Sequence, residues 1–341
     1  KGLLALSKKE EDETAELFIA NTHHHILCFT NTGKVYRLKA HEVPSQSRQS
    51  RGTPIVNLVP LDPGEQITAT VPMATLDQDG YLVLATRKGQ VKKTELREFD
   101  TPIKTRGIIA QTVPEGDALC WVKYTDGTKD VILVSNDGQA MRFDEAEVRP
   151  MGRNATGVIG IRMRHSDELV SMVVVDKEDQ RDLLVAGSKG LAKRTPLADY
   201  PTKGRGGMGV ITMKVDAKTG PIMVAQVVEP DQELLVITKD GIAIRVKVKT
   251  IRQTGRNAMG VKLIALAPSD ELVAVTRIAE AEHIETAEGG TPLDVDDDEE
   301  KVPALFDSSD EDDTEGDELD NWEEEDEDSE DSSPGAGDDE E

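Results

Sequence analysis

A sequence unit recurs along the first 280 residues, and this repetition limits the chain to folds assembled from copies of one small motif. The stretch GRNATGV at 152–158 returns as GRNAMGV at 255–261, and SDELV at 166–170 returns at 269–273. Both returns come 103 residues later. One spacing shared by two motifs indicates a duplicated unit.

A turn glycine shows that the basic unit is about half that long. It recurs within NTGKVYRL, RKGQVKKT, NDGQAMRF, SKGLAKRT and KDGIAIRV, at Gly33, Gly89, Gly138, Gly190 and Gly241. An apolar run precedes these glycines and a short basic strand follows them. Because glycine adopts the positive φ angles of a tight turn without steric cost, each copy predicts a β-hairpin.

A second glycine, preceded by an arginine as in Arg106-Gly107, follows each hairpin and introduces a further strand, for example 158–163 or 210–215. Four short strands in roughly 51 residues are typical of one propeller blade. We count five full copies, and Gly2, which lies 50 residues before Gly52, implies a sixth. We therefore predict an all-β domain over residues 1–280 with six radial blades. An elongated β array, which shares the repeats without the closure, is the alternative.

The charge is divided between this body and a C-terminal tail. Residues 281–341 hold 30 acidic residues against one lysine, a net charge of −29, and the other 36 acids and 39 bases give residues 1–280 a charge of +3. Such an acidic block with almost no aromatic residues cannot bury enough apolar surface to fold. We predict a disordered tail over 281–341 and a separate domain over 1–280.

Basic residues recur with the blade period, which is the pattern expected of a surface that contacts phosphates. The loops after the hairpins carry Arg48, Arg51, Lys104, Arg106, Arg149, Arg153, Lys203, Arg205, Arg252 and Arg256. The basic hairpin strands add Lys34, Arg37, Lys92, Lys93, Arg142, Lys193, Arg194 and Arg245. One repeated position per blade predicts a ring of cations. In this ring the glycine would let the backbone approach phosphate oxygens, and the arginine would make bidentate contacts with them. The alternative is that these cations are solvated residues of edge strands.

Duplex DNA is the ligand that this ring favours, since few of the loops carry aromatic residues on which single-stranded bases could stack. A body of this size has an outer radius of roughly 25 Å. Bending duplex DNA half a turn around it costs on the order of ten kcal/mol, so many phosphate contacts must be spread along the perimeter. Binding should then depend steeply on salt and little on sequence.

The stretches ANTHHHILCFTNTGKVYRLKAHEVP, RGTPIVNLVPL and ADYPTKGRGGMGVITMKV resemble the C-terminal domain of the DNA gyrase A subunit. The resemblance covers nearly the whole chain and implies a six-bladed β-pinwheel that wraps DNA around its basic rim. The wrap would present a positive crossover to a cleavage core, where ATP-driven strand passage introduces negative supercoils.

The same resemblance implies partners outside this chain, namely the A-subunit core and the B subunit in an A2B2 holoenzyme. ATP and magnesium would be used there, with no cofactor in this domain, and the catalytic tyrosine would lie upstream. The family carries a box, Gln-Arg-Arg-Gly-Gly-Lys-Gly, whose last two residues match Lys1 and Gly2, and Arg205-Gly206-Gly207-Met208-Gly209 resembles a degenerate copy. Since Lys1 is not a methionine, we expect a fragment of a longer protein.

Other features favour no chemistry. His23, His24 and His25 are consecutive, so on a strand at most two could share an ion, and we predict no metal site. The sequence has no nucleophile elbow, P-loop or zincin motif, so we assign no catalytic residue. The unpaired spacing of Cys28 and Cys120 predicts buried thiols in the reducing cytoplasm, and the lack of a long apolar run predicts no membrane partner. We expect the isolated domain to be monomeric.

Two further readings of the sequence remain open. The related C-terminal domain of topoisomerase IV has fewer blades and bends DNA less, and a propeller can also serve as a protein-interaction hub or, with a central pocket, as an enzyme. The acidic tail, for its part, is suited to occupy a cationic ring and compete with DNA.

Overall fold

The structure, a computed structural model, describes residues 20–45, 53–103, 106–164, 166–267 and 269–278. In these residues we number the strands β1 to β19 in chain order: His25–Thr30, Lys34–Lys39, Ile67–Met73, Tyr81–Thr86, Gln90–Glu95, Ile108–Ile109, Leu119–Thr125, Asp130–Ser135, Gln139–Asp144, Val158–Ile159, Leu169–Val175, Asp182–Gly187, Leu191–Pro196, Val210–Ile211, Ile222–Val228, Glu233–Thr238, Ala243–Lys247, Val261–Lys262 and Leu272–Ile278. Short 3-10 turns occupy Ala40–Glu42, Ile55–Asn57, Leu96–Phe99, Glu145–Glu147, Leu197–Asp199 and Val248–Thr250. No helix in this part of the chain has the length and apolarity that crossing a bilayer requires.

The strands form five sheets, which we call blades 1 to 5. Their strand orders are β3-β1-β2-β6, β10-β5-β4-β7, β11-β8-β9-β14, β15-β12-β13-β18 and β17-β16-β19. Each blade contains one of the five predicted hairpins, which forms the central pair of the four-stranded blades and an outer pair of the three-stranded blade 5. The hairpin glycines have φ angles between 79° and 82°, for example Gly33 at 82° and Gly190 at 79°, which is the left-handed region that the turn requires.

Neighbouring repeats exchange a strand, so a blade does not consist of four consecutive strands. The seven-residue strand that follows a hairpin in the same repeat pairs with the first hairpin strand. In blades 1 to 4 the second hairpin strand pairs instead with two residues from the next repeat. Thus Ile108–Ile109 pair with Val35 and Lys34 of blade 1. The strands predicted over 158–163 and 210–215 are therefore only two residues long, at Val158–Ile159 and Val210–Ile211.

The hydrophobic core consists of layers between blades. Leu27 and Phe29 of blade 1 pack against Leu84 and Phe99 of blade 2, and the two phenylalanine rings meet edge to face with their centroids 6.0 Å apart. Equivalent layers join blades 2 and 3, blades 3 and 4, and blades 4 and 5. Because the strands alternate their side chains, the middle blades bury both faces.

The blades are arranged radially. The inner strands β3, β7, β11, β15 and β19 together line a central cavity of 670 Å³. The opposite end of each four-stranded sheet, formed by β6, β10, β14 or β18, lies at the outer rim. This arrangement is the propeller-like alternative of the two that the repeats allowed.

The predicted number of six blades is wrong, since the described residues hold five sheets. The sixth copy was inferred from the spacing of Gly2, whereas the series of strands that the structure describes begins with the hairpin at Gly33. Residues 1–19, which contain that remnant, lie outside the described residues, and so do the predicted domain boundary and the tail over 281–341.

Candidate nucleic-acid interface

Four rim loops end at Gly107, Gly157, Gly209 and Gly260, and residues 104–105 of the first lie outside the described residues. The other three, residues 149–157, 201–209 and 252–260, run along the outer edge of the blade before their own repeat. The N–H of Met151 donates to the carbonyl of Lys93 at 2.8 Å, and that of Lys203 donates to the carbonyl of Arg142 at 2.8 Å. Thr254 makes the equivalent bond in the last loop. The loops thus cover strand edges that would otherwise be open and hold their side chains at the perimeter.

Each rim loop ends in a glycine that lies directly against the neighbouring blade. Gly157 and Gly209 have φ angles of 108° and 78°. A Cβ atom on Gly157 would lie 2.6 Å from the carbonyl oxygen of Val91, and one on Gly209 would lie 2.4 Å from that of Ala140. The sequence-based interpretation, in which these glycines make room for phosphate, is therefore incomplete, because their space is filled by the protein's own backbone.

Exposed cations project from these loops. Arg106, Arg149, Lys203 and Arg252 are all exposed. Within the described residues none of the four forms a salt bridge, whereas many other cations of this chain do. These side chains carry the unneutralised positive charge that a phosphate backbone requires.

Three further loop arginines are half-buried, and two of them are braced by backbone carbonyls. The guanidinium of Arg205 donates to the carbonyls of Glu147 at 3.1 Å and Ile159 at 3.2 Å. That of Arg256 donates to the carbonyl of Ile211 at 3.4 Å. Arg153 is also half-buried. Each of the two braced guanidinium groups is partly used inside the protein and so has fewer donors free for a ligand.

The cations predicted on the hairpin strands lie mostly in the interior. Lys92, Lys93, Arg142 and Lys193 are buried, and the side chains of Arg37 and Arg194 are only 16% and 11% exposed. Their predicted place on an exposed ring is therefore wrong. The physical reason is that neighbouring blades cover both faces of the middle sheets, so a strand there that appears basic in sequence has no solvent face.

A charge pair explains why the strand cations recur. The fourth residue after every hairpin glycine is a cation that pairs with a carboxylate, as follows: Arg37 with Asp100, Lys93 with Glu145, Arg142 with Asp130, Arg194 with Asp182, and Arg245 with Glu233. Lys34, three residues before Arg37, pairs with Asp62. The pairs of Lys93 and Arg142 are buried and that of Arg194 is nearly so, and such a pair must be complete because one uncompensated buried charge is strongly destabilising. The period of these cations thus has a structural cause.

Some predicted residues lie outside the described part of the chain, namely Lys1, Gly2, Arg48, Arg51 and Lys104. Sequence reasoning also missed exposed cations that follow the two-residue strands at the rim. Arg162 and Lys214 each lie five positions after a rim glycine, and Arg164 and Lys262 are exposed nearby. The equal spacing of Arg162 from Gly157 and of Lys214 from Gly209 is the sequence signal that could have revealed these cations.

The other reactive side chains are structural in character. Burial raises the pKa of the Cys28 thiol to about 12 and that of Cys120 to about 11, and both are free thiols. Burial, together with Lys39 and Arg37, lowers the pKa of His25. The described residues contain no cluster of three potential metal ligands.

The sequence model of a family described as "DNA gyrase C-terminal domain, beta-propeller" matches residues 24–72, 80–123, 129–176, 181–228 and 232–279. These five matched segments correspond to the five blades. The DNA gyrase A subunit of Escherichia coli (strain K12) is 41% identical over 292 residues, which cover 85% of this chain and 33% of that protein. The chain thus spans about a third of the length of such relatives.

Two solved structures are similar in fold. One is the C-terminal domain of DNA topoisomerase IV, with a TM-score of 0.71 and 26% identity over 81% of this chain and 85% of that one. The other is a DNA gyrase A C-terminal domain, with a TM-score of 0.65 and 28% identity over 76% of this chain and 84% of that one.

Proposed function

Because the chain belongs to the DNA gyrase C-terminal domain family, we propose that it binds duplex DNA without sequence preference and bends it around the outer rim of the blades. It would do so as a non-catalytic part of a gyrase A subunit in the cytoplasm. The catalytic core, the B subunit, ATP and magnesium would all lie outside this chain.

The observation that carries the proposal is the repeated exposure of unpaired loop cations at the rim. Arg149 and Arg252 occupy equivalent positions of two loops, and Arg106 and Lys203 extend the series. Phosphate oxygens repeat along a duplex regardless of its sequence, so cations that repeat along a curved edge suit them. Of the residues predicted from the sequence, the loop set therefore remains the proposed binding set, and the buried strand set does not.

The wrap is proposed to be chiral, since a gyrase uses its C-terminal domain to set the sign of a crossover. The test is to bind the domain to a nicked circular DNA, ligate the nick, remove the protein and measure the linking number. A shift toward positive linking number supports a positive wrap. Absence of binding would refute the proposed function.

Topoisomerase IV supplies the second candidate, favoured by the TM-score of 0.71 with its C-terminal domain. Such a domain would bind and bend DNA with less wrapping. Retained binding without any shift in linking number would favour this candidate over a gyrase-type wrap.

The acidic tail is proposed to compete with DNA for the rim. Its net charge of −29 is opposite in sign to the body's +3, and such a segment attached to the same chain has a high effective concentration. Deleting residues 281–341 should raise affinity for DNA and enlarge any shift in linking number. Equal affinity of both forms at low salt would refute the competition.

A further inference from the structure

Two buried lysines contact the rim loops from below. Lys92 and Lys193 are fully buried, and each lies three residues after a hairpin glycine. The ammonium group of Lys92 donates to the carbonyls of Ala110 and Arg153, both at 2.5 Å. That of Lys193 donates to the carbonyls of Gly255 at 2.7 Å and Arg256 at 2.5 Å.

Neither lysine has a carboxylate partner within salt-bridge distance among the described residues. A buried ammonium group without such a partner is costly, and a chain gains little stability from keeping one. Each lysine instead holds at least one carbonyl of a loop that bears an arginine: Lys92 holds that of Arg153, and Lys193 holds those of Gly255 and Arg256. We propose that Lys92 and Lys193 are positioning residues that hold the Arg153 and Arg256 loops in the shape that contacts DNA.

The sequence of each rim loop correlates with the type of residue buried beneath it. The loops above the two lysines are GRNATGV and GRNAMGV, the 103-residue duplication. In the blade between them the equivalent buried position is Met141, and the loop above it reads GRGGMGV. A Cβ atom on Gly207 of that loop would lie 2.7 Å from the terminal methyl of Met141. A loop that turns carbonyls inward thus occurs with lysine, and a loop that packs closely occurs with methionine.

The two buried lysines also predict that DNA binding weakens at alkaline pH. Burial lowers the pKa of both to about 8. Glu98 opposes this shift for Lys92 and Asp199 opposes it for Lys193, while Arg153 and Arg256 respectively add to it. Because hydrogen bonds from a neutral amine are weaker than those from a charged ammonium group, the loops should loosen as the pH rises through about 8.

The inference rests on the proposed DNA binding, and a double-mutant cycle tests it. The variants are Lys92→Met with Lys193→Met, Arg153→Gln with Arg256→Gln, and the combination of all four. Methionine is chosen because the same fold buries it at Met141. Met141→Leu is the control, since it changes the equivalent position without removing an ammonium group.

If the lysines act through the arginines, the lysine pair should lower the slope of log affinity against log salt by up to about 1.8, as the arginine pair does. Combining the two pairs should then add nothing, and binding should lose its decline between pH 7 and 9. Fully additive effects, or a lysine variant that binds as the unchanged chain does, would overturn the inference.

Hydrogen exchange gives a readout that does not need DNA. Amides of residues 152–157 and 255–260 should exchange faster in the lysine variant, and those of 204–209 should not. Unchanged exchange in the first two loops would overturn the positioning role even if the domain binds DNA. Faster exchange there would support it even if the unchanged chain failed to bind, which would refute only the proposed function.

Discussion

Neutralising two equivalent rim arginines should reduce the salt dependence of DNA binding by a calculable amount. Arg149 and Arg252 lie three residues before the glycine of each GRNA motif, and both are exposed. Each phosphate contact contributes about 0.9 to the slope of log affinity against log salt. Changing both to glutamine should therefore lower the slope by about 1.8.

The size of this effect is easily measured. With a slope change of about 1.8, a fourfold rise in salt from 50 to 200 mM should weaken binding of the unchanged chain about twelvefold more than binding of the variant. Filter binding or fluorescence anisotropy with a duplex of arbitrary sequence, titrated at several salt concentrations, gives the slope directly.

The matched control removes the same charge from the centre of the blades. Lys123 and Arg277 line the central cavity, and changing both to glutamine alters the net charge equally. This control should leave the slope as it is. Equal slopes for the rim variant and the unchanged chain would refute a rim interface, and equal reductions in both variants would show that only net charge matters.

Three further outcomes test the packing that supports the rim. Gly260→Ala should destabilise the fold by more than about 1 kcal/mol, because its φ is 86° and a Cβ atom would lie 2.5 Å from a backbone carbonyl oxygen. In thermal melts the control Gly255→Ala should be tolerated, since nothing lies within 4 Å of its Cβ position. Phe99→Ala should cost about 3–5 kcal/mol in urea denaturation and exposed Ile103→Ala less than about 0.5 kcal/mol, and similar losses would contradict the inter-blade core. Burial acts to raise the pKa of Glu65, but hydrogen bonds from Asp62, Thr30 and Tyr36 outweigh it, so the pKa is lowered. The carboxylate therefore stabilises the fold above its ordinary pKa, and this contribution is lost as the pH falls. Glu65→Gln should flatten the acid side of the profile of stability against pH, and an unchanged profile would contradict this.

The repeat architecture was largely predictable because it depends on backbone geometry that leaves a trace in sequence. A glycine with φ near 80° must stand at each hairpin, and Gly33 to Gly241 mark all five. The exchange of strands was not predictable, since a two-residue pairing such as Val158–Ile159 has no hydrophobic period of its own. A sixth blade was wrongly predicted because a single glycine, Gly2, was taken as evidence for a whole repeat.

The binding site was predictable only where cations stand on loops. Arg149 and Arg252 are exposed as expected, whereas Lys92 and Lys193 are buried. In sequence all four are cations that follow a hairpin glycine, Lys92 and Lys193 by three residues and Arg149 and Arg252 by eleven, and neither spacing shows which side chain is covered. What decides their exposure is the next blade, which covers a strand with residues more than 50 positions away, such as Arg153 above Lys92.

Strand exchange also sets the order in which the chain can be completed on a ribosome. The second strand of blade 1 ends at Lys39, but its outer partner at Ile108–Ile109 is synthesised only about 70 residues later. At about 5–20 residues per second, that edge waits roughly 4 to 14 s for its partner. Each newly made blade therefore leaves an unsatisfied edge until the next repeat emerges. Translation speed and chaperone access should influence the yield of this domain more than that of a propeller whose blades are each complete in themselves.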